Sequence, residues 1–175
     1  GRSMSSATKA RRFRNRLLAR LPAEAMEHLA PLLEPVELPR YARLETPNKT
    51  VEFIYFMETG ITSMVSVTDP ATEVEIGSNG NEGMTGIAVI LGNHRSPCAS
   101  YIQVKATAQR IEADALREIM DNSPGAQKVF LRFAHSFLIQ TTQTAVTNVR
   151  ATIEERLARW LLMAHDRLEG DKIHL

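Results

Sequence analysis

The chain has 175 residues, 43% of them hydrophobic and 23% charged, enough for a packed core with an extension and too apolar for disorder to be the default. No stretch reaches the roughly 18 consecutive apolar residues that a membrane-spanning helix needs, no apolar leader segment is present, and the single cysteine, Cys98, excludes an internal disulfide; a cytoplasmic protein is the expectation. The net charge of +1 is asymmetric, because residues 1–20 carry seven basic and no acidic groups while the other 155 carry 14 basic and 20 acidic, so the folded body is acidic and a poor docking surface for a phosphate backbone.

Residues 1–14 are read as a remnant (Gly1-Arg2-Ser3 before Met4) and a basic, solvated tail. From Asn15 to about Leu33 the spacing of Leu17, Leu18, Leu21, Ala25, Leu29 and Leu32 is helical, and Pro22 predicts a break into two short helices, the second starting near Ala23. From Val36 to Glu112 short apolar or alternating runs predict strands. The run Glu52 to Met57 is one, with a turn at Glu58-Thr59-Gly60, and Ile61 to Val67 is the next. Asp69-Pro70 marks another turn, Glu73 to Ile76 alternates, and the runs 101–104 and 108–111 read as a closing pair. Many short strands at near-regular spacing predict a sandwich or barrel. Within this region Gly77, Gly80, Gly83 and Gly86 recur every third residue before the apolar run 87–91 and Gly92, a loop leading into one helical turn.

Beyond Ile111 the chain is helical to its end. Ala113 to Asn122 predicts a short helix, and Ser123-Pro124 supplies an N-cap with proline at the first helical position. A long helix is then expected to about Arg150. Its first half is apolar nearly all round, through Val129, Phe130, Leu131, Phe133, Ala134, Phe137, Leu138 and Ile139, so it needs cover on more than one side. The stripe Leu131, Ala134, Leu138, Thr141, Ala145, Asn148 is assigned to a second copy of the same helix in a two-fold dimer, burial within one subunit being the alternative. Thr152-Ile153-Glu154-Glu155 reads as a capping box that starts a new helix, with Ile153, Leu157, Trp160, Leu161, Ala164 and Leu168 on one face and Gly170 at its end.

The chemistry carried by this pattern is binding chemistry. His28, His94, His135, His165 and His174 fall on different elements without a His-x-His pair, so neither a metal-dependent jelly-roll enzyme nor another metal site is expected. No nucleophile–base constellation can be nominated, and the glycines fit neither a Walker loop nor a dinucleotide fingerprint; the chain is read as a non-enzyme. The glycine loop has two readings. Its amides could cradle a small anion, with Arg95 and Ser96 adding a guanidinium and a hydroxyl, or the glycines could serve tight turns alone.

The order of these elements, with Asn81-Glu82-Gly83-Met84-Thr85-Gly86, the segment from Leu91-Gly92 to Arg95-Ser96, and the run Ile153-Glu154-Glu155-Arg156-Leu157-Ala158-Arg159-Trp160-Leu161-Leu162, resembles the Crp/Fnr family of bacterial regulators over roughly residues 15 to 175. The resemblance implies a mainly β fold with flanking helices: an eight-stranded, double-stranded β-helix jelly roll of the cyclic nucleotide-binding kind over residues 15–122, a long dimerisation helix over 123–150, and the first helix of a truncated winged helix-turn-helix domain over 151–175, the DNA-reading helices lying beyond Leu175. It also implies a phosphate cassette at Gly83, Gly86, Arg95 and Ser96, ligand-contacting hydroxyls at Thr141 and Thr142 on the dimer helix, a homodimer, and DNA as the partner of the full-length protein. Family members that bind cyclic AMP carry a glutamate after the cassette glycine, where this chain has Ile87. An alkyl side chain cannot accept the ribose hydroxyl, which costs about 1–3 kcal/mol, and Glu82 lies four residues before the Gly86 position. With one cysteine, the iron–sulfur branch of the family is excluded. The effector is therefore left open between a cyclic nucleotide (cyclic AMP or cyclic GMP), another small molecule, and none, the last being a ligand-free dimerisation module.

Overall fold

The computed structural model describes residues 13–69 and 71–170, apart from the side chains of Ala164 and residues 166–170. The remnant, the tail through residue 12, the Pro70 turn, the Ala164 and Leu168 side chains and residues 171–175 lie outside the described residues.

Helix α1 (Arg16–Arg20) is short because Leu21 and Pro22 turn the chain extended, and α2 (Ala23–Leu29) starts directly after that proline, as the break at Pro22 predicts. Asn15 caps α1 and does more. Its Oδ1 accepts the Leu17 and Leu18 amides at 3.0 and 3.1 Å, and its Nδ2 donates to the Met57 and Gly83 carbonyls at 2.8 Å each. All four hydrogen-bonding positions of this fully buried amide are thus used, tying the first helix to the glycine loop.

The β region is an antiparallel sheet in the order β1-β5-β3-β4, with β2 also on β5. Strands β1 (Glu34–Leu38) and β2 (Arg43–Glu45) pair with opposite ends of β5 (Cys98–Glu112), while β4 (Thr72–Asn79) pairs with the far half of β3 (Phe53–Asp69). Two sequence expectations need correction here. Residues 58–60 are not a turn between strands, and 101–104 and 108–111 are not two strands. In both places one long strand continues. β3 and β5 stay paired from Phe53↔Glu112 to Ser66↔Cys98, and the register slips only between Met57 and Thr62. Gly60 sits in that irregular stretch at φ +77°, where a Cβ would come within 2.6 Å of the Ala106 Cβ. The glycine therefore bends a ribbon that a hairpin reading would have cut. Eight strands are implied by the resemblance; among the described residues there are five, two of them long enough to run through the bend.

The main core joins α1, α2, the two long strands and the helices that follow, around fully buried Leu18, Leu29, Ile54, Phe56, Met84, Leu116 and Phe130. A smaller cluster, Leu38, Met57, Ile102, Ala106 and Ala108, lies on the other face of the ribbon, as strand alternation requires. Helix α4 (Ala113–Asn122) buries Leu116, Ile119 and Met120. Ser123 then caps α5, its Oγ accepting the Ala126 amide at 3.2 Å, and Pro124 opens that helix as predicted.

Helix α5 runs unbroken from Pro124 to Gly170. The capping-box reading at Thr152 is a third correction: its hydroxyl donates to the Asn148 carbonyl four residues back, at 2.9 Å, which is the bond of a residue inside a helix. No proline or glycine between 126 and 169 interrupts the helix. The compact units divide instead after Phe137. In the first, α5 buries Ala126, Phe130, Phe133, Ala134 and Phe137 in the core, with the Phe130 ring 6.0 Å from that of Phe56. In the second, Leu138, Ile139, Val146, Val149, Ile153, Leu157 and Trp160 are all exposed.

Candidate ligand cassette

The loop between β4 and α3 (Ile87–Ile90) is stitched to its surroundings by its own backbone. The Gly83 amide donates to the Gly80 carbonyl at 3.1 Å, the Thr85 amide to the Tyr55 carbonyl at 3.0 Å, and the Met57 amide to the Gly83 carbonyl at 3.3 Å. Thr85 Oγ1 accepts the Tyr55 amide at 3.0 Å, and Glu82 Oε1 accepts that of Gly80 at 2.9 Å. The amides of Gly80, Gly83 and Thr85 are thereby committed to the protein itself. The glycines also have packing reasons. A Cβ on Gly83 would stand 2.5 Å from Asn79 Oδ1, and one on Gly86, at φ +78°, would stand 2.0 Å from Ile54 Cδ1. Of the two readings open in the sequence, tight packing explains these positions directly.

Arg95 and Ser96 lie across from residues 48–51: Thr50 bridges Arg95, the Asn48 amide donates to the Ser96 carbonyl at 2.7 Å, and the Val51 amide to that of His94 at 2.9 Å. The Arg95 side chain is exposed and, among the described residues, forms no ion pair. Ser96 Oγ accepts the Cys98 amide at 3.1 Å, a local turn that fixes the hydroxyl beside the entry to β5.

Close to this segment lies Glu45, which no sequence signal nominated. It lies at the end of β2, opposite Ser100, and is only 4% exposed. Its Oε2 accepts the Ser100 hydroxyl at 2.6 Å, while Oε1 is buried without a hydrogen bond. Burial raises its pKa above the ordinary value near 4.5, against smaller opposing effects from the Ser100 hydroxyl and the Gly86 amide. Burial likewise raises the Cys98 thiol, with the Glu45 charge adding to it. Glu45, Ser100, Cys98 and Ser96 thus form one neighbourhood at the start of β5. A charged residue in a three-residue strand reads as surface by default, which is why the sequence hides it. Among the described residues, no group of three His, Cys, Asp or Glu is placed to hold a metal, and no helix is long and apolar enough to cross a membrane.

No protein-family model matches the chain, and no curated protein sequence matches it. Solved structures do. The c-di-GMP-responsive global regulator CLP of Xanthomonas campestris superposes with a TM-score of 0.63 at 15% identity, over 80% of this chain and 70% of that one. A CooA variant from Carboxydothermus hydrogenoformans gives 0.62 at 14% identity, over 83% and 93%. A cyclic nucleotide-binding domain from Methylobacillus flagellatus gives 0.53 at 14% identity, over 83% and 82%. The fold is the one these chains share, that of a cyclic nucleotide-binding domain.

The remaining nominated residues, Thr141 and Thr142, belong to the second compact unit. Both hydroxyls donate to the Leu138 carbonyl, at 2.8 and 2.9 Å, so each is held along its own helix with its lone pairs unspent. The stripe expected to face a partner is divided: Ala134 is buried in the core, whereas Leu131, Leu138, Ala145 and Asn148 are exposed. At 100° per residue, Ala134 turns onto the same side as Phe130 and Phe137. One surface cavity, of about 400 Å³, lies elsewhere, lined by Ala25, His28 and Ile119. Another, of about 500 Å³, is lined by Glu45, Lys49, Thr50 and Val51, beside the segment that faces Arg95; neither is lined by Gly83, Gly86, Arg95 or Ser96.

Proposed function

We propose that this chain is the effector-sensing and dimerisation module of a bacterial DNA-binding transcription regulator, with α5 carrying the signal to a C-terminal helix-turn-helix. The observation that carries this reading is the second half of α5. Ile139, Val146, Ile153 and Trp160 recur every seven residues and each is exposed; three residues after Val146 and Trp160 stand Val149 and Met163, also exposed, and after Ile139 and Ile153 stand Thr142 and Arg156. A seven-residue apolar repeat on an uncovered helix is the seam of a two-stranded coiled coil, and a second copy supplies the matching seam by symmetry. The jelly roll is the sensing end, and a ligand acts by favouring one arrangement of the helix pair over another. Gly83, Gly86, Arg95 and Ser96, all within the first compact unit, are the residues proposed to meet it.

The pairing is tested with Val149→Cys in a Cys98→Ser background. Mild oxidation is expected to give a covalent dimer; a chain that stays monomeric under oxidation contradicts an in-register parallel seam. A second reading, a dimerisation module with a cassette that binds no effector, is favoured by Ile87 in the cassette. Thermal unfolding with cyclic AMP, cyclic GMP and cyclic di-GMP separates the two. A true ligand at about 100 times its Kd adds roughly 2.7 kcal/mol.

A further inference from the structure

The cavity of about 500 Å³ beside β2 and the start of β3 is separate from the cassette. Its size is that of small-ligand pockets, which run from about 300 to 1,000 Å³. Its lining is graded: Glu45 and Val51, 4% and 6% exposed, form the deep end, whereas Lys49 and Thr50 stand exposed at the mouth. Half-buried Leu44 and Tyr55 add apolar surface. At the deep end Glu45 Oε2 accepts the Ser100 hydroxyl at 2.6 Å, and Oε1 receives no hydrogen bond from the protein. A buried acceptor in that state is costly, and a donor entering the cavity relieves it. Lys49 lines the same cavity without pairing with Glu45, since the ion pairs among the described residues are Arg110–Glu34 and Arg117–Asp114. Opposite charges held apart in one cavity, with apolar surface beside them, complement a molecule that carries both charges and an apolar group. A simple carboxylate would be repelled by Glu45 and by Glu52, which also lines the cavity, and a simple amine would leave Lys49 unmatched. The wall at residues 50 and 51 also holds the segment before β5: Thr50 bridges Arg95, and the Val51 amide donates to the His94 carbonyl at 2.9 Å.

We propose that this cavity is a separate small-molecule site that takes an amino-acid-type zwitterion with an apolar side chain. The ligand's ammonium donates to the Glu45 carboxylate, its carboxylate meets the Lys49 ammonium, and its side chain lies against Leu44 and Tyr55. The site does not depend on the cassette holding a ligand. Because Thr50 and Val51 line the cavity and also hold residues 94 and 95, an occupant braces the segment that carries Arg95.

The experiment is calorimetric titration of L-leucine and L-phenylalanine, and of the matching amines isoamylamine and phenethylamine, which lack the carboxylate, into the native chain, Glu45→Gln and Lys49→Ala. At least one amino acid is expected to saturate the native chain, and to bind it more tightly than its matching amine does. Glu45→Gln is expected to bind that amino acid at least about tenfold more weakly, because a hydrogen bond to a charged group is lost. Lys49→Ala is expected to erase the advantage of the amino acid over its amine. Circular dichroism reports whether Glu45→Gln is folded; should it not be, Lys49→Ala, at an exposed position, decides through the comparison of amino acid with amine. The proposal is overturned if neither amino acid saturates the native chain, if a folded Glu45→Gln binds as tightly as the native chain, or if the amine binds the native chain as tightly as its amino acid.

Discussion

The two halves of α5 are built from similar residues and live in opposite surroundings. Up to Phe137 the helix sends Phe130, Phe133 and Phe137 into the core, alongside Leu18, Phe56 and Met84; beyond it Val149, Ile153, Trp160 and Leu162 are 58–63% exposed. Apolar composition alone does not say whether a face is covered by its own chain or by another. Spacing and burial together do: the first half buries one stripe, Ala126, Phe130, Phe133, Ala134 and Phe137, and the second leaves a seven-residue track exposed.

The largest effect that sharpens this contrast is in the first half. Phe130→Ala should cost about 3–5 kcal/mol, read from urea unfolding, because a fully buried ring stacked near Phe56 is replaced by a cavity. A loss well under 1 kcal/mol would mean that this half is not part of the core. Asn15→Ala comes next, at about 2 kcal/mol, since it removes the α1 cap together with the two bonds that hold the Met57 and Gly83 carbonyls; the same urea titration checks it. In the second half, Ile153→Glu should leave urea unfolding of the jelly roll unchanged within about 0.5 kcal/mol. It should weaken self-association by more than about tenfold, because a buried aliphatic contact is worth roughly 1.5–3 kcal/mol.

The smallest expected effect concerns pH. The folded-state pKa of Glu45 lies above its ordinary value near 4.5. Below that value Glu45 is protonated folded and unfolded, and its contribution is fully present. As pH rises from there through the raised value, the unfolded chain ionises first and stability is lost. Glu45→Gln lacks this loss, so the difference in urea midpoint between the variant and the native chain should grow in the variant's favour across that window and then level. Parallel profiles would contradict a buried carboxyl at this position.

Much of the architecture was legible in the sequence for reasons that these residues make plain. Pro22 and Ser123-Pro124 are covalent punctuation, and the helices they bound fall where expected. The turn expected at Glu58-Thr59-Gly60 failed because a glycine that ends one strand and a glycine that bends a continuous one look alike without knowledge of the pairing strand. Thr152 failed for a related reason: a capping box scores the same whether the chain before it is coil or helix, and only the bond to Asn148 distinguishes them. The glycine loop was found by its spacing, and its backbone bonds to Tyr55 and Met57 were not, since they depend on a strand 30 residues away. Glu45 was invisible because nothing local distinguishes a buried glutamate from an exposed one. Its hydrogen-bond partner, Ser100, stands on a strand 55 positions downstream.

The central claim is that the exposed track on α5 is a surface made for a second copy, and sedimentation velocity over a wide concentration range tests it most directly. The account predicts that the native chain sediments as a dimer that dissociates on dilution, and that Ile153→Glu shifts it to monomer with the jelly roll still folded. A native chain that remains monomeric at the highest concentrations, or a variant that dimerises as well as the native chain, would contradict it.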